Sequence, residues 1–262
     1  MPLNFSSHPF LVAYVTCGDP DLAASKDIIL SSIAAGADAI ELGVPFSDPV
    51  ADGPVIQRAS ERALANHTTL GDVLKLAAEV RKAESQTGLI IFSYYNPVLR
   101  YGLERFCDDA RAAGVDGALI TDLTVEEAGD YMAAMRKRDL ATVFLAAPTS
   151  TDVRLKRIAQ ASRGFVYAVS RTGVTGTQQK LAEDAGVLVR RIKKFTKLPC
   201  VVGFGISNSE QFQAASKFAD GVAVGSAIVQ TIEQNVATGH AAKAVGEFIQ
   251  RLKVHARSAL KA

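Results

Sequence analysis

Short apolar runs alternate with longer amphipathic stretches from one end of the chain to the other. The runs are Leu11–Thr16, Ala39–Val44, Leu89–Tyr94, Gly117–Thr121, Thr142–Ala146, Gly164–Val169, Cys200–Gly203 and Gly221–Val224. Each is short, apolar and bounded by turn residues, and so reads as a strand. Between them apolar positions recur at helical spacing. Asp21–Ala35 carries Leu22, Ile29 and Ile33 and stops at Gly36, Thr69–Ser85 carries Val73, Leu76, Ala77 and Val80, and Leu103–Ala113 stops at Gly114. Val125–Lys137, Asp152–Ala161, Leu181–Phe195, Asn208–Lys217 and Ala241–Leu260 keep the same period. Start signals lie at Asp19-Pro20, Thr151-Asp152 and Ser207-Asn208. A further helical piece, Val55–Asn66, fits between the second strand and its main helix.

Strand–helix alternation of this kind predicts a parallel sheet with helices outside it. Eight units in a chain of this length fit an α/β fold of the TIM (β/α)8 barrel type, with an extra helix after strand 2. The competing architecture is a doubly wound open sheet. Two features favour the barrel: no dinucleotide fingerprint opens the chain, and glycine-rich segments cluster after strands six, seven and eight, where barrels build phosphate sites. With no linker, low-complexity tract or longer repeat, residues 1–262 read as a single barrel domain.

Composition narrows the function. The chain is 48% hydrophobic and 21% charged, with 29 basic and 27 acidic residues, an ordinary globular balance. No basic block is interleaved with aromatics, so nucleic acid is a poor partner. No run is long enough to span a bilayer, and the start lacks the pattern of a signal or transit peptide. Cys17, Cys107 and Cys200 are odd in number and far apart, which fits a reducing, cytoplasmic setting and no zinc site. None of the four histidines falls at a strand end, which argues against a histidine triad or a metal.

The densest chemistry lies in Glu41-Leu42-Gly43-Val44-Pro45-Phe46-Ser47-Asp48-Pro49-Val50-Ala51-Asp52-Gly53-Pro54. Alternation along a strand puts Glu41 on one face with Ala39 and Gly43, and Ile40, Leu42 and Val44 on the other. A carboxylate among small residues on an apolar strand is costly unless it is paired or has work to do. Burial would raise its pKa and suit it to carrying protons; a structural ion pair is the alternative. Asp48 and Asp52 follow closely enough to fold back over it, although Asp-Gly-Pro is often only a turn.

Three glycine segments read as an anion cradle: Ser170-Arg171-Thr172-Gly173-Val174-Thr175-Gly176, Gly203-Phe204-Gly205-Ile206-Ser207 and Gly225-Ser226-Ala227. Glycine lets backbone N–H groups approach an anion, and a short helix starting at Ser226 would aim its positive end at the same place. Any one segment alone could be an ordinary turn. Asp122 at the end of strand four could be a mouth residue or a helix cap. Tyr167 could be core or contact, and Tyr94-Tyr95-Asn96-Pro97 reads as a polar rim. Together these residues indicate proton-transfer or carbon–carbon lyase chemistry on a small phosphorylated compound.

The long acidic–proline run through Gln57 resembles the signature of the tryptophan synthase alpha chain family. Thr16 with Gly18-Asp19-Pro20, the three glycine segments and Ile228-Val229 follow in order, so the resemblance spans nearly the whole chain. It implies a TIM barrel that cleaves indole-3-glycerol phosphate to indole and glyceraldehyde 3-phosphate in tryptophan biosynthesis. It implies as partner a beta chain, in an αββα heterotetramer, that carries pyridoxal phosphate; this chain would hold no cofactor of its own. Glu41 matches the family's proton-shuttling glutamate and Asp52 the aspartate that binds the indole N–H. Gly176, Gly205, Gly225 and Ser226 match the phosphate cradle, Tyr167 a tyrosine beside the glutamate, and Thr175 a threonine on a mobile loop, here 171–185. Pro45, Asp48 and Asn96 fall at the partner-facing rim, with Phe46. Tyr14 lies in the indole pocket where phenylalanine is usual, and Thr124 stands where many members have proline.

Three rival readings follow. One is a stand-alone indole-3-glycerol phosphate lyase, and another a barrel that only activates a partner enzyme. The third, a sugar-phosphate isomerase, would need acids at the ends of strands one and five, which here read Val15-Thr16-Cys17 and Leu145-Ala146-Ala147.

Overall fold

In the computed structural model, which describes residues 3, 5, 9–169, 178–203 and 205–259, eight parallel strands close into a barrel in the order β1 to β8. The strands are β1 (Phe10–Thr16), β2 (Ala39–Gly43), β3 (Gly88–Ser93), β4 (Gly117–Ile120), β5 (Ala141–Ala146), β6 (Val166–Val169), β7 (Cys200–Gly203) and β8 (Gly221–Val224). Closure comes where Phe10 of β1 registers with Gly221 of β8. The helices are α1 (Leu22–Ala34), α2 (Pro54–Ala65), α3 (Leu70–Ala83), α4 (Tyr95–Tyr101), α5 (Leu103–Ala112), α6 (Gly129–Lys137), α7 (Asp152–Ala161), α8 (Gln178–Lys193), α9 (Ser209–Ser216), α10 (Ser226–Asn235) and α11 (Ala241–Ala259). The barrel, not the open sheet, is therefore the architecture, and α2 is the extra helix after β2.

Alternation along the strands sorts side chains between two apolar cores. Leu11, Ala13, Val15, Ile40, Leu42, Leu89 and Ile91 face outward into the larger cluster shared with the helices. Phe10, Val12, Ala39, Ile90, Leu119, Val143, Phe165, Val201 and Ala223 fill the barrel itself, so its lower half is packed rather than hollow. Leu3 and Phe5 pack against this inner cluster, with the Phe5 ring stacked 3.8 Å from that of Phe10.

Among the described residues, four helix starts carry local side-chain caps. Asp21 accepts from the Ala24 N–H, Thr69 and Asp72 form a reciprocal capping box, and Thr151 and Asn208 cap α7 and α9. Two elements depart from the sequence expectation. Residues 124–127 close a turn, with the Glu127 N–H on the Thr124 carbonyl, so α6 begins at Gly129 rather than Val125. The Tyr94–Pro97 rim is not irregular: it opens α4. Pro97 is tolerated there because it sits in the first turn, where N–H groups lack partners within the helix. The N–H of Tyr95, the first residue of α4, donates to Asp122 Oδ1 at 2.7 Å, so the cap arrives from another loop. That settles Asp122 as a helix cap.

Candidate active site

Glu41 lies in the middle of β2, in register with Tyr14 of β1 and Ile90 of β3. Its neighbours on the same face of β2 are Ala39 and Gly43. Ala39 belongs to the inner cluster, so the carboxyl points into the barrel. It is 1% exposed, and Oε1 has no hydrogen-bond partner. Among the described residues no Arg or Lys pairs with it, so the ion-pair alternative finds no support. Burial pushes the carboxyl up from the usual 4.5 to about 8. The cost of a charged carboxylate in a site without compensating donors is the physical cause.

Two tyrosines frame this acid. Tyr14 and Tyr167 both feel its charge, and burial holds both phenols well above their usual pKa, so they stay neutral. Each is seated by a missing side chain on the next strand. A Cβ on Gly43 would come 2.4 Å from the Tyr14 hydroxyl oxygen, and one on Gly203 would come 2.3 Å from that of Tyr167. The Tyr14 ring meets Phe92 edge-on at 5.1 Å, and its hydroxyl accepts from Thr16 Oγ1 at 3.3 Å. Thr16 is thus the partner that a tyrosine at this position requires.

Asp52 sits in the loop between β2 and α2, half-buried. The Tyr94 hydroxyl donates to Asp52 Oδ2 at 3.0 Å and accepts from the Ala51 N–H at 2.9 Å. Burial raises the Asp52 pKa, and the Tyr94 hydrogen bond opposes that rise. Tyr94 is therefore a member of the site that the sequence reading placed only in a rim. Its position just after β3, beside β2, was the available signal. Asp48 does not fold over Glu41; it is exposed and accepts from Ser47 Oγ.

The rim opposite is made of backbone. Gly205 adopts a φ of +78° with no atom within 4 Å of where a Cβ would stand, so conformation and not crowding requires glycine there. Gly225 immediately precedes α10, and Ser226 is its exposed first residue. The first N–H groups of α10 have no partners within the helix and carry its positive end. Thr175 and Gly176 lie outside the described residues, as does the rest of the 171–177 stretch.

At the expected partner rim, Asp48 and Asn96 are exposed and Pro45 is buried. Val50 in the loop after β2, 87% exposed, and Leu99 on α4, 53% exposed, add apolar surface. Among the described residues no group of three or more His, Cys, Asp and Glu is arranged to hold a metal, and no helix is long and apolar enough to cross a membrane.

The family described as tryptophan synthase alpha chain matches residues 3–258. A tryptophan synthase alpha chain from Solibacter usitatus is 50% identical over 243 residues, covering 93% of this chain and 91% of that protein. The crystal structure of tryptophan synthase subunit alpha from Legionella pneumophila superposes with a TM-score of 0.87 at 36% identity, over 94% of this chain and 91% of that one. A chain of the tryptophan synthase complex from Pyrococcus furiosus gives 0.84 at 36% identity, over 94% and 98%.

Proposed function

The chain belongs to the tryptophan synthase alpha chain family, and on that footing we propose that Glu41 and Asp52 cleave indole-3-glycerol phosphate between them. The chain is a carbon–carbon lyase, the alpha subunit of tryptophan synthase, and its products are indole and glyceraldehyde 3-phosphate. The observation that carries the site assignment is the buried Glu41 carboxyl, aimed into the barrel with one oxygen unpartnered.

The reaction is a retro-aldol cleavage. Indole C3 must gain a proton before its bond to the glycerol carbon can break, and positive charge then develops on the ring nitrogen. Asp52, steadied by Tyr94, accepts the indole N–H and favours that charge. Glu41, protonated at neutral pH, delivers the proton to C3. Its carboxylate then takes the proton of the adjacent hydroxyl as the carbon–carbon bond breaks and the aldehyde forms. The acid ends in the state in which it began. Each proton transfer contributes about 10²–10⁴ in rate.

Tyr14 and Tyr167 line the indole pocket. Gly205, Gly225 and Ser226 hold the phosphate by backbone N–H groups and the α10 dipole; Gly176 and Thr175 are assigned with them on family resemblance alone. Binding the phosphate far from the breaking bond supplies orientation. Asp48 and Asn96, with Pro45 beneath them, face the beta chain in an αββα assembly. The pyridoxal phosphate of that partner supplies the chemistry that consumes indole and enters no step here. The three cysteines are free thiols, in keeping with a cytoplasmic enzyme.

The test is indole release from indole-3-glycerol phosphate, with and without a beta chain. The proposal requires release that the beta chain increases. Equal release in both arms would favour a stand-alone lyase, and none in either arm would leave only an activating barrel.

A further inference from the structure

Helix α2 is additional to the regular strand–helix alternation, yet Asp52 hangs from its start. Gln57 in its first turn donates from Nε2 to the Asp52 carbonyl at 2.9 Å, so the aspartate backbone is fastened to the helix. What fixes α2 therefore fixes Asp52. One side of α2 is apolar: Ala59 packs with Tyr14 and with Val229 of α10. The other fastening is ionic. Arg58 and Arg62, one turn apart, lie on the same side of the helix. Arg58 donates from Nε and Nη2 to the two carboxylate oxygens of Glu233 on α10, at 2.9 and 2.8 Å. Arg62 donates from Nη1 to Glu233 at 2.9 Å and from Nε and Nη2 to both oxygens of Asp19, at 2.7 and 2.8 Å.

Asp19 lies in the loop after β1 and is 1% exposed, while Arg62 and Glu233 are partly open to solvent. The Arg58 hydrogen bonds chiefly, with those of Arg62, hold the Glu233 carboxyl down at about 2, so it is charged throughout the working range. Partly exposed ion pairs add little stability. Geometry is what this cluster supplies: one planar guanidinium reaches two carboxylates, Asp19 in the loop after β1 and Glu233 on α10, which a lysine point charge cannot do. The loop after β1, the loop bearing Asp52 and the start of α10 all follow the C-terminal ends of their strands, at the same end of the barrel.

We propose that Arg62 is a positioning residue: by clasping Asp19 and Glu233 it holds α2, and with it Asp52, at a fixed setting relative to the N-terminus of α10. This rests on the reading of Asp52 as the indole-binding acid and of Ser226 as part of the phosphate cradle. A displacement of about 1 Å at a reacting group can cost 10²-fold in rate, so a loosened clasp would be felt at Asp52 without any loss of fold.

The experiment measures kcat and KM for indole release by the complex with a beta chain. It compares wild type, Arg62→Lys, Asp52→Asn and the double variant. Positioning predicts that Arg62→Lys lowers kcat by about tenfold or more with KM changed less than about threefold. In the Asp52→Asn background the same substitution should cost less than about twofold, because the group it positions is gone. Binding of glycerol 3-phosphate should be unchanged. Glu233→Gln removes one arm of the clasp and must show the same pattern, more weakly; it replaces Arg62→Lys should that variant fail to fold. Unchanged kcat, or equal losses in both Asp52 backgrounds, overturns the proposal while leaving the functional reading intact. A wild-type complex that releases no indole overturns both.

Discussion

Glu41 shows how much one side chain's surroundings decide. Its carboxyl has nowhere to place a charge, so it is still largely protonated at neutral pH. Glu41→Gln keeps the shape and removes the proton carrier; it should fold, bind substrate and lose about 10²–10⁴ in kcat, read as indole release. For wild type, kcat/KM should fall as pH rises through about 8, because the acid that protonates C3 is then ionised. The same shift is linked to stability. The folded value lies above the unfolded one, so the contribution is complete below 4.5 and is lost as pH rises to about 8. Thermal melts of Glu41→Gln should therefore gain on wild type across that window. Tyr167 depends on the void at Gly203. Gly203→Ala should push the ring from Glu41, with an overpacking cost of about 1–3 kcal/mol visible in the melting temperature and a reduced kcat. Glu41 itself was legible from strand alternation. The hydroxyl of Tyr94 on Asp52 was not, because it joins residues 42 positions apart.

At the scale of elements, local signals and tertiary ones divide cleanly. Helices that carry their own caps, α7 and α9 among them, start where the sequence places them. Helix α4 does not. Its N-cap residue Tyr94 offers no side-chain cap, and Pro97 reads as a breaker when viewed locally. The acceptor that starts it, Asp122, belongs to the loop after β4. Asp122→Ala should lower stability by roughly 0.5–2 kcal/mol, the scale of an N-cap, and Asp122→Asn should restore most of it, both read by denaturant melts. Because α4 begins next to Tyr94, the alanine variant should also weaken the grip on Asp52.

Across the whole molecule the two ends of the barrel do different work. The bottom is sealed by aromatic packing: Phe5 lies flat on Phe10 and edge-on to Phe165, 6.2 Å away. The opposite end carries the acids and the glycine rim. Phe5→Ala should cost about 1–3 kcal/mol in a melt, given that Phe5 is only half-buried, and should leave kcat and KM near wild type. A matching loss of activity would mean that the two ends are coupled through the inner core.

Periodicity determined the strands, the helices with local caps and the face on which Glu41 stands, and the glycine segments after the last three strands tipped the choice from an open sheet to a closed parallel barrel. Those properties arise between residues a few positions apart, or from the bare count of repeated units. Tertiary structure decided the rest: the Tyr94–Asp52 bond, the cap on α4, the seats at Gly43 and Gly203, and the Arg62 clasp. Each joins groups distant in sequence, and only closure of the barrel, by putting every strand's C-terminal end around one mouth, brings their atoms within bonding range.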